Sequence, residues 1–537
     1  MPPIVKRSWK SIAFAIFCLV ILFGTREMRT RAASGVNVTT YHNDNARTGQ
    51  NLSETTLNTS NVNVNTFGQL LTIPVDGYVY AEPLYVPNVN VSGQGSHNLL
   101  FVATEHDSAF AFDADTGQQL WTISFIDPAK GITTLSSAND IGCGDLVPEV
   151  GITGTPVIDP VSLTAYLVVN TKENGVFFQR LHALNLTTGS EIAGSPVVIQ
   201  ATVSGTGEGS VNGKVSFDPL KNNQRSALML QNGVIEIVWA SHCDIQNYHG
   251  WLMAYNEQSL KQLAVWNTTP NGGLGGIWQG GSGPAADSSY NTYFATGNGT
   301  FDANTAGKDF GDSVIRLPFS KDIRKGDYFT PYNQANLSNG DIDLGAGGVV
   351  LLPDNPGGPN AHLLVQSGKE GSMYLINRDD MGHYNPNNND QIVQFIPYVM
   401  GGIWGTGAWW NNSVYFSGQY DAVKQFAFNT STGLLSTSPV SQSATSYGYP
   451  GPEPSISANG NSDAILWMID SSAYSSSGSE VMHAFDATNL ATELYNTNQN
   501  AQRDNAGGAV KFIVPTVANG KVYAGAAYQV SVYGLLP

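Results

Sequence analysis

This sequence predicts an all-β fold, an eight-bladed β-propeller of four-stranded blades, and three observations carry the prediction. Charged residues are only 12% of the chain while glycine numbers 58 in 537 residues. Average soluble domains are roughly 25% charged, so this is a composition of short strands and many turns. A turn motif recurs along most of the chain, the mark of a repeat architecture. The last repeat also lacks a strand that the region before the first repeat supplies.

Taken in order, residues 1–34 read as a leader. Lys6, Arg7 and Lys10 precede an unbroken apolar run of 12 residues from Ile12 to Phe23, and the small residues Ala32, Ala33 and Ser34 follow. That is the pattern of a secretory signal, since spanning a bilayer takes about 20 apolar residues. Arg26, Arg29 and Arg31 lie between the run and the small residues, which leaves both cleavage and an uncleaved anchor open. A secreted, periplasmic or envelope-associated monomer is expected, touching membrane only through an uncleaved leader. Residues 35–65 are expected to form an N-terminal extension and 66–537 the propeller.

The formal net charge is −17 although the leader is basic, so the remainder is strongly acidic. Binding phosphates needs the opposite sign, and a nucleic-acid partner is excluded. Cys18 falls in the leader, leaving Cys143 and Cys243. Two cysteines in an exported chain predict one disulfide, with two free thiols as the alternative.

The repeat is clearest at residues 111–121, Ala-Phe-Asp-Ala-Asp-Thr-Gly-Gln-Gln-Leu-Trp. Related turns place their third residue at Asn185, Asn256, Pro318, Asn377, Asn429, Asp486 and Gly534, spaced by 48 to 72 residues. Asp or Asn suits this position because its side chain bonds backbone two residues on, and the glycine supplies a positive φ. Upstream of the turns recur two strand-like runs, one opening after Gly or Pro (as at 82–86 and 155–158) and one β-branched or aromatic (as at 99–103 and 235–240). With a variable fourth strand, each unit makes a blade. The last unit stops at Pro537, after its third strand. Residues 70–75 are expected to supply its outer strand and so remove a sheet edge.

In such a blade the loop entering the first strand and the loop leaving the second lie on one face. Here they hold Glu82, His106, Glu149, Glu173, Trp278, Lys369, Trp404 and Arg503. A polar mouth with aromatic walls follows, able to hold a small molecule or a protein ligand. Gly-Gly-Ile-Trp occurs twice, ending at Trp278 and Trp404; these rings either flank a planar or sugar-like ligand or pack between blades. Lys369 and Arg503 are anion-binding candidates, with pairing to Glu370 and Asp504 the alternative. Asp302, Asp309 and Asp312 are candidate oxygen ligands for calcium, without the regular spacing of a calcium loop.

The Ala-x-Asp-x-x-Thr-Gly-x-x-x-Trp turn at 111–121 resembles the PQQ-like repeat of the quinoprotein alcohol dehydrogenases and their non-catalytic relatives. More closely, the segments at 41–45, 143–145, 241–244 and 368–371 resemble those of an exported bacterial group of that family. The resemblance covers residues 41–537 and implies eight blades around a funnel. For the dehydrogenases it would imply PQQ and calcium as cofactors and an alcohol or sugar as substrate, with Glu149 or Glu173 as the base. The chain departs from those enzymes in having no adjacent cysteine pair and no Cys-x-x-Cys-His haem site. Two classes of function therefore stand: a binding module of the envelope or exterior, and a PQQ- and calcium-dependent oxidoreductase.

Overall fold

The computed structural model describes residues 36–537; the leader, Cys18 included, lies outside the described residues. Eight antiparallel blades are arranged around a central channel. They span 84–124, 157–198, 222–267, 285–330, 350–396, 408–447 and 455–496 for blades 1 to 7, and 516–535 together with 67–78 for blade 8. The only α-helix among the described residues is Gln334–Asn339.

The recurring turn explains how neighbouring blades dock. Asp113 Oδ1 accepts the backbone N–H of Asp115 and of Thr116, fixing the turn after the third strand of blade 1. Trp121, on the fourth strand, donates its indole N–H to Leu186 O of blade 2 at 2.8 Å. It also lies flat against Gly189, where a Cβ would come within 2.8 Å of the ring. Gly189 of blade 2 is thus the socket for Trp121 of blade 1, as Gly117 of blade 1 is for Leu71 and Ile73 of the strand that closes blade 8. Between consecutive blades sit separate apolar clusters, such as Val238 and Leu252 of blade 3 with Phe294 and Ile315 of blade 4, so the core is distributed between blade faces.

Blade 8 closes as expected. Phe67–Tyr78 runs antiparallel to Lys521–Leu535, with Leu71 opposite Val532 and Ile73 opposite Val530. The 70–75 strand therefore joins the two ends of the chain into one sheet and leaves no edge there.

The extension before that strand is not a tail. From Val38 to Asn51 it runs inside the channel and meets the innermost strand of every blade in turn. Val38 pairs with Tyr85 of blade 1, and Thr39 O accepts Ile158 N–H of blade 2. Asn45 donates from Nδ2 to Leu230 O of blade 3 and accepts from Ala286 N–H of blade 4. Ala46 O, Thr48 O and Gly49 O accept from Leu351, Trp409 and Ile456 of blades 5, 6 and 7, and Asn51 Nδ2 donates to Val517 O of blade 8. Inner strands expose backbone groups towards the channel, and buried ones need partners. This segment supplies them.

Arg47 is the hub of the segment and is fully buried. Its guanidinium donates to Thr40 Oγ1 and Tyr41 O at 2.8 Å, to Pro284 O at 3.0 Å and to Leu228 O at 3.4 Å. Burial draws its pKa down to about 10.

Candidate functional site

Because first strands begin at the mouth, the residues that the extension bonds lie deeper than the entry loops, and the open part of the funnel is the layer above it. A cavity of 190 Å³ lies there, lined by Asp145, Arg225, Asp244, Trp278, Asp341, Asp343, Lys369, Trp404 and Tyr449 among others.

The two Gly-Gly-Ile-Trp loops build its walls in the same way. Ile277 and Ile403 are buried in the clusters beside blades 4 and 6. Their N–H groups bond Trp239 O and Gly368 O. Each isoleucine anchors the loop and leaves the next residue, Trp278 or Trp404, at the cavity. The loops touch at Gly280, which has φ 60° and where a Cβ would fall 1.6 Å from Trp404 O. Only glycine fits there.

Each tryptophan has a cation over it. Arg225, between the short strands Asn222–Asn223 and Met229–Gln231 of blade 3, sits 5.9 Å from the Trp278 ring and 4.3 Å from Phe512. Lys369 Nζ is 4.7 Å from the Trp404 ring, which Tyr449 meets edge-on at 5.0 Å. Such contacts hold the charged groups in place.

The carboxylates complete two ionic groups. Asp145 faces Arg225 at 3.5 Å and Lys511 at 3.3 Å. Burial disfavours its charge, but Arg225 and Lys511 outweigh burial and hold it below the ordinary carboxylate range. Lys369 pairs with Asp343 at 2.6 Å and Asp341 at 2.8 Å; burial opposes its charge, yet the two aspartates raise its pKa. Asp244, bonded by Tyr248 Oη at 2.6 Å, is raised by burial and by the charges of Asp343 and Asp341. Cys143 and Cys243 are joined in a disulfide, which ties the loops carrying Asp145 and Asp244 together.

Of the residues singled out in the sequence, Trp278, Lys369 and Trp404 meet in this cavity. Lys369 pairs with Asp341 and Asp343, not with Glu370, whose oxygens accept from Asn333 and Tyr374. The reason is reach: the loop before blade 5 brings both aspartates to the ammonium, while Glu370 turns towards blade 5. Glu82 lies deeper, accepting from His42 N–H and Thr516 Oγ1. His106 and Glu149 pair with each other at 2.9 Å on the rim. Glu173 is held by Arg180 near the tip of a blade 2 hairpin. Arg503 pairs with Asp504 and donates to Val64 O and Phe67 O, fastening the strand that closes blade 8. Asp302 and Asp309 accept backbone N–H groups of Asp309 and Asn271, and Asp312 that of Leu344. No three metal-ligating side chains converge among the described residues.

Arg225, Asp341, Asp343 and Lys511 were not singled out in the sequence. Two carried a usable signal: Arg225 and Lys511 stand just upstream of Met229–Gln231 of blade 3 and Thr516–Ala518 of blade 8, the position that marks a mouth loop, whereas Arg503 lies farther back.

The buried acids near the channel imply a pH dependence. Glu82, Glu105 and Glu453 are each pushed up to about 8 by burial, against about 4.3 for an unfolded glutamate. Folded chains keep protons here that unfolded chains have lost, so this stability is complete below about pH 4.3 and is lost as pH rises through 8. His42 and His242, lowered to about 4 by burial, act oppositely, but only below about pH 6.5. The melting temperature is therefore expected to fall between about pH 6.5 and 8.5, and Glu82→Gln should flatten that fall. A profile rising over this interval, with no change in the variant, would contradict it.

No family model matches this sequence, and no curated protein matches it. Solved structures do. A quinohemoprotein alcohol dehydrogenase from Pseudomonas putida HK5 superposes with TM-score 0.61 at 14% identity, over 93% of this chain and 80% of that one. One from Comamonas testosteroni gives 0.58 at 13%, over 94% and 81%. A europium-containing methanol dehydrogenase gives 0.58 at 11%, over 93% and 98%. The chain has the propeller fold of these dehydrogenases. At such identities the likeness extends to the fold alone, and what the propeller does has to be argued from its own mouth.

Proposed function

We propose that this propeller is an exported, non-catalytic binding module that takes up a small molecule in the mouth cavity. One observation carries the reading: a single cavity is walled by Trp278, Trp404 and Tyr449, lined by fixed charges of both signs, and floored by a channel that the 38–51 segment fills. Aromatic walls with a few well-held polar groups are the make-up of a ligand pocket. The leader pattern and the Cys143–Cys243 bridge support an oxidising compartment outside the cytoplasm.

The same residues bear on the alternative, a quinone oxidoreductase. PQQ brings three carboxylates, which need cations free to receive them. Arg225 and Lys511 share one carboxylate, Asp145, and Lys369 faces Asp341 and Asp343, so one cation is left over for three carboxylates, and Asp244 adds a further negative charge. For calcium, Asp302, Asp309 and Asp312 accept backbone N–H groups, and among the described residues no three metal-ligating side chains converge. The residues do not fit either group.

Thermal unfolding against amino acids, carboxylates, amines and monosaccharides at about 10 mM is expected to show at least one compound that raises the melting temperature. Trp404→Ala should abolish that rise. A panel without effect would overturn the reading. PQQ with calcium is expected to leave the unfolding curve unchanged, whereas a rise lost in Lys369→Met would favour the oxidoreductase.

A further inference from the structure

The cavity is electrically divided. At one end Asp145 alone faces two cations, Arg225 and Lys511, at separations of 3.3 Å and more. At the other, Lys369 alone faces Asp341 and Asp343, with Asp244 lining the same space. One end has a cation to spare and the other has carboxylates to spare. At the cationic end the surplus is not left to water, because the side chains of Arg225 and Lys511 are only 7% and 5% exposed; at the anionic end Asp343 is buried against Lys369, while Asp341, 70% exposed, and Asp244 stand open to an incoming ammonium. A cation so buried calls for a counter-charge.

Resting on the small-molecule reading above, we propose that the ligand is a zwitterion of the aminocarboxylate type, with its carboxylate at Arg225 and its ammonium at Asp343, Asp341 and Asp244. The planar guanidinium, held against Trp278 and Phe512, presents a fork suited to a carboxylate. At the far end the ammonium meets carboxylate oxygens, with the Trp404 and Tyr449 rings nearby to favour a cation. The 190 Å³ of the cavity equals the share of roughly six waters at ~30 Å³ each, which suits a ligand of a few carbons rather than a sugar chain. A neutral sugar would leave both surpluses uncompensated, and a simple anion or cation would leave one.

The test is calorimetric titration of the exported chain with unbranched ω-aminocarboxylates from glycine to 6-aminohexanoate, each compared with the alkanoate and alkylamine of equal length and with glucose. One aminocarboxylate is expected to bind at least about tenfold more tightly than either matched compound. Arg225→Gln should reduce it to the level of the alkylamine, and Asp343→Asn to that of the alkanoate. Lys369→Met, which frees carboxylates, should instead strengthen the alkylamine, a gain that mere structural damage would not produce. If an alkanoate, alkylamine or glucose binds as tightly in a Trp404-dependent way, the zwitterion inference falls while the small-molecule reading stands. If none of them binds, and the broader panel of compounds has no effect either, both fall.

Discussion

Arg47→Ala is expected to destabilise the protein by about 3–5 kcal/mol, because several buried acceptors lose their donor together. The arginine ties Thr40 and Tyr41 of the channel segment to carbonyls of blades 3 and 4. Without it, several buried acceptors lose their donor at once, each at a penalty of about 1–3 kcal/mol before any relaxation. Arg47→Lys should recover only part of the loss, because one ammonium cannot serve acceptors spread around a planar fork. Urea denaturation measures both. A loss below about 1 kcal/mol would sink the idea, since it would place the segment among ordinary surface interactions. The same reasoning makes the 38–51 segment an internal part of the ring rather than an appendage.

Replacing both Cys143 and Cys243 by serine is expected to lower stability by up to about 4.7 kcal/mol, the chain-entropy ceiling for a loop of this length. The bridge spans 100 residues of sequence and links the loop before blade 2 to the loop after the second strand of blade 3. Its loss should also loosen the cavity, since Asp145 and Asp244 lie within two residues of its ends. Comparing melting in the presence and absence of reductant, with the double variant as control, separates the bridge from other effects. Reductant sensitivity that persists in the double variant would show that the bridge is not its cause.

Much of the ring was legible in the sequence because repetition is a local signal. Asp113, Asn185 and Asn429 each sit where a turn needs a side chain that bonds backbone ahead of it, with Gly117, Gly189 and Gly433 in positive φ. Strand period and turn chemistry repeat unit after unit, so eight blades and the closing role of 70–75 follow without knowing any contact. The twin Gly-Gly-Ile-Trp loops were legible for the same reason. The charge partners were not. Asp341 and Asp343 reach Lys369 across the turn into blade 5, and Lys511 reaches Asp145 from 366 residues away, distances at which composition and spacing carry no signal.

The all-β class, the number of blades and the strand that seals the ring follow from the sequence, because turn chemistry and strand pattern are local signals. Only the tertiary structure decided that residues 38–51 fill the channel and that the cavity has a cationic and an anionic end. Both depend on groups from different blades meeting at the axis, in contacts that sequence proximity does not reveal.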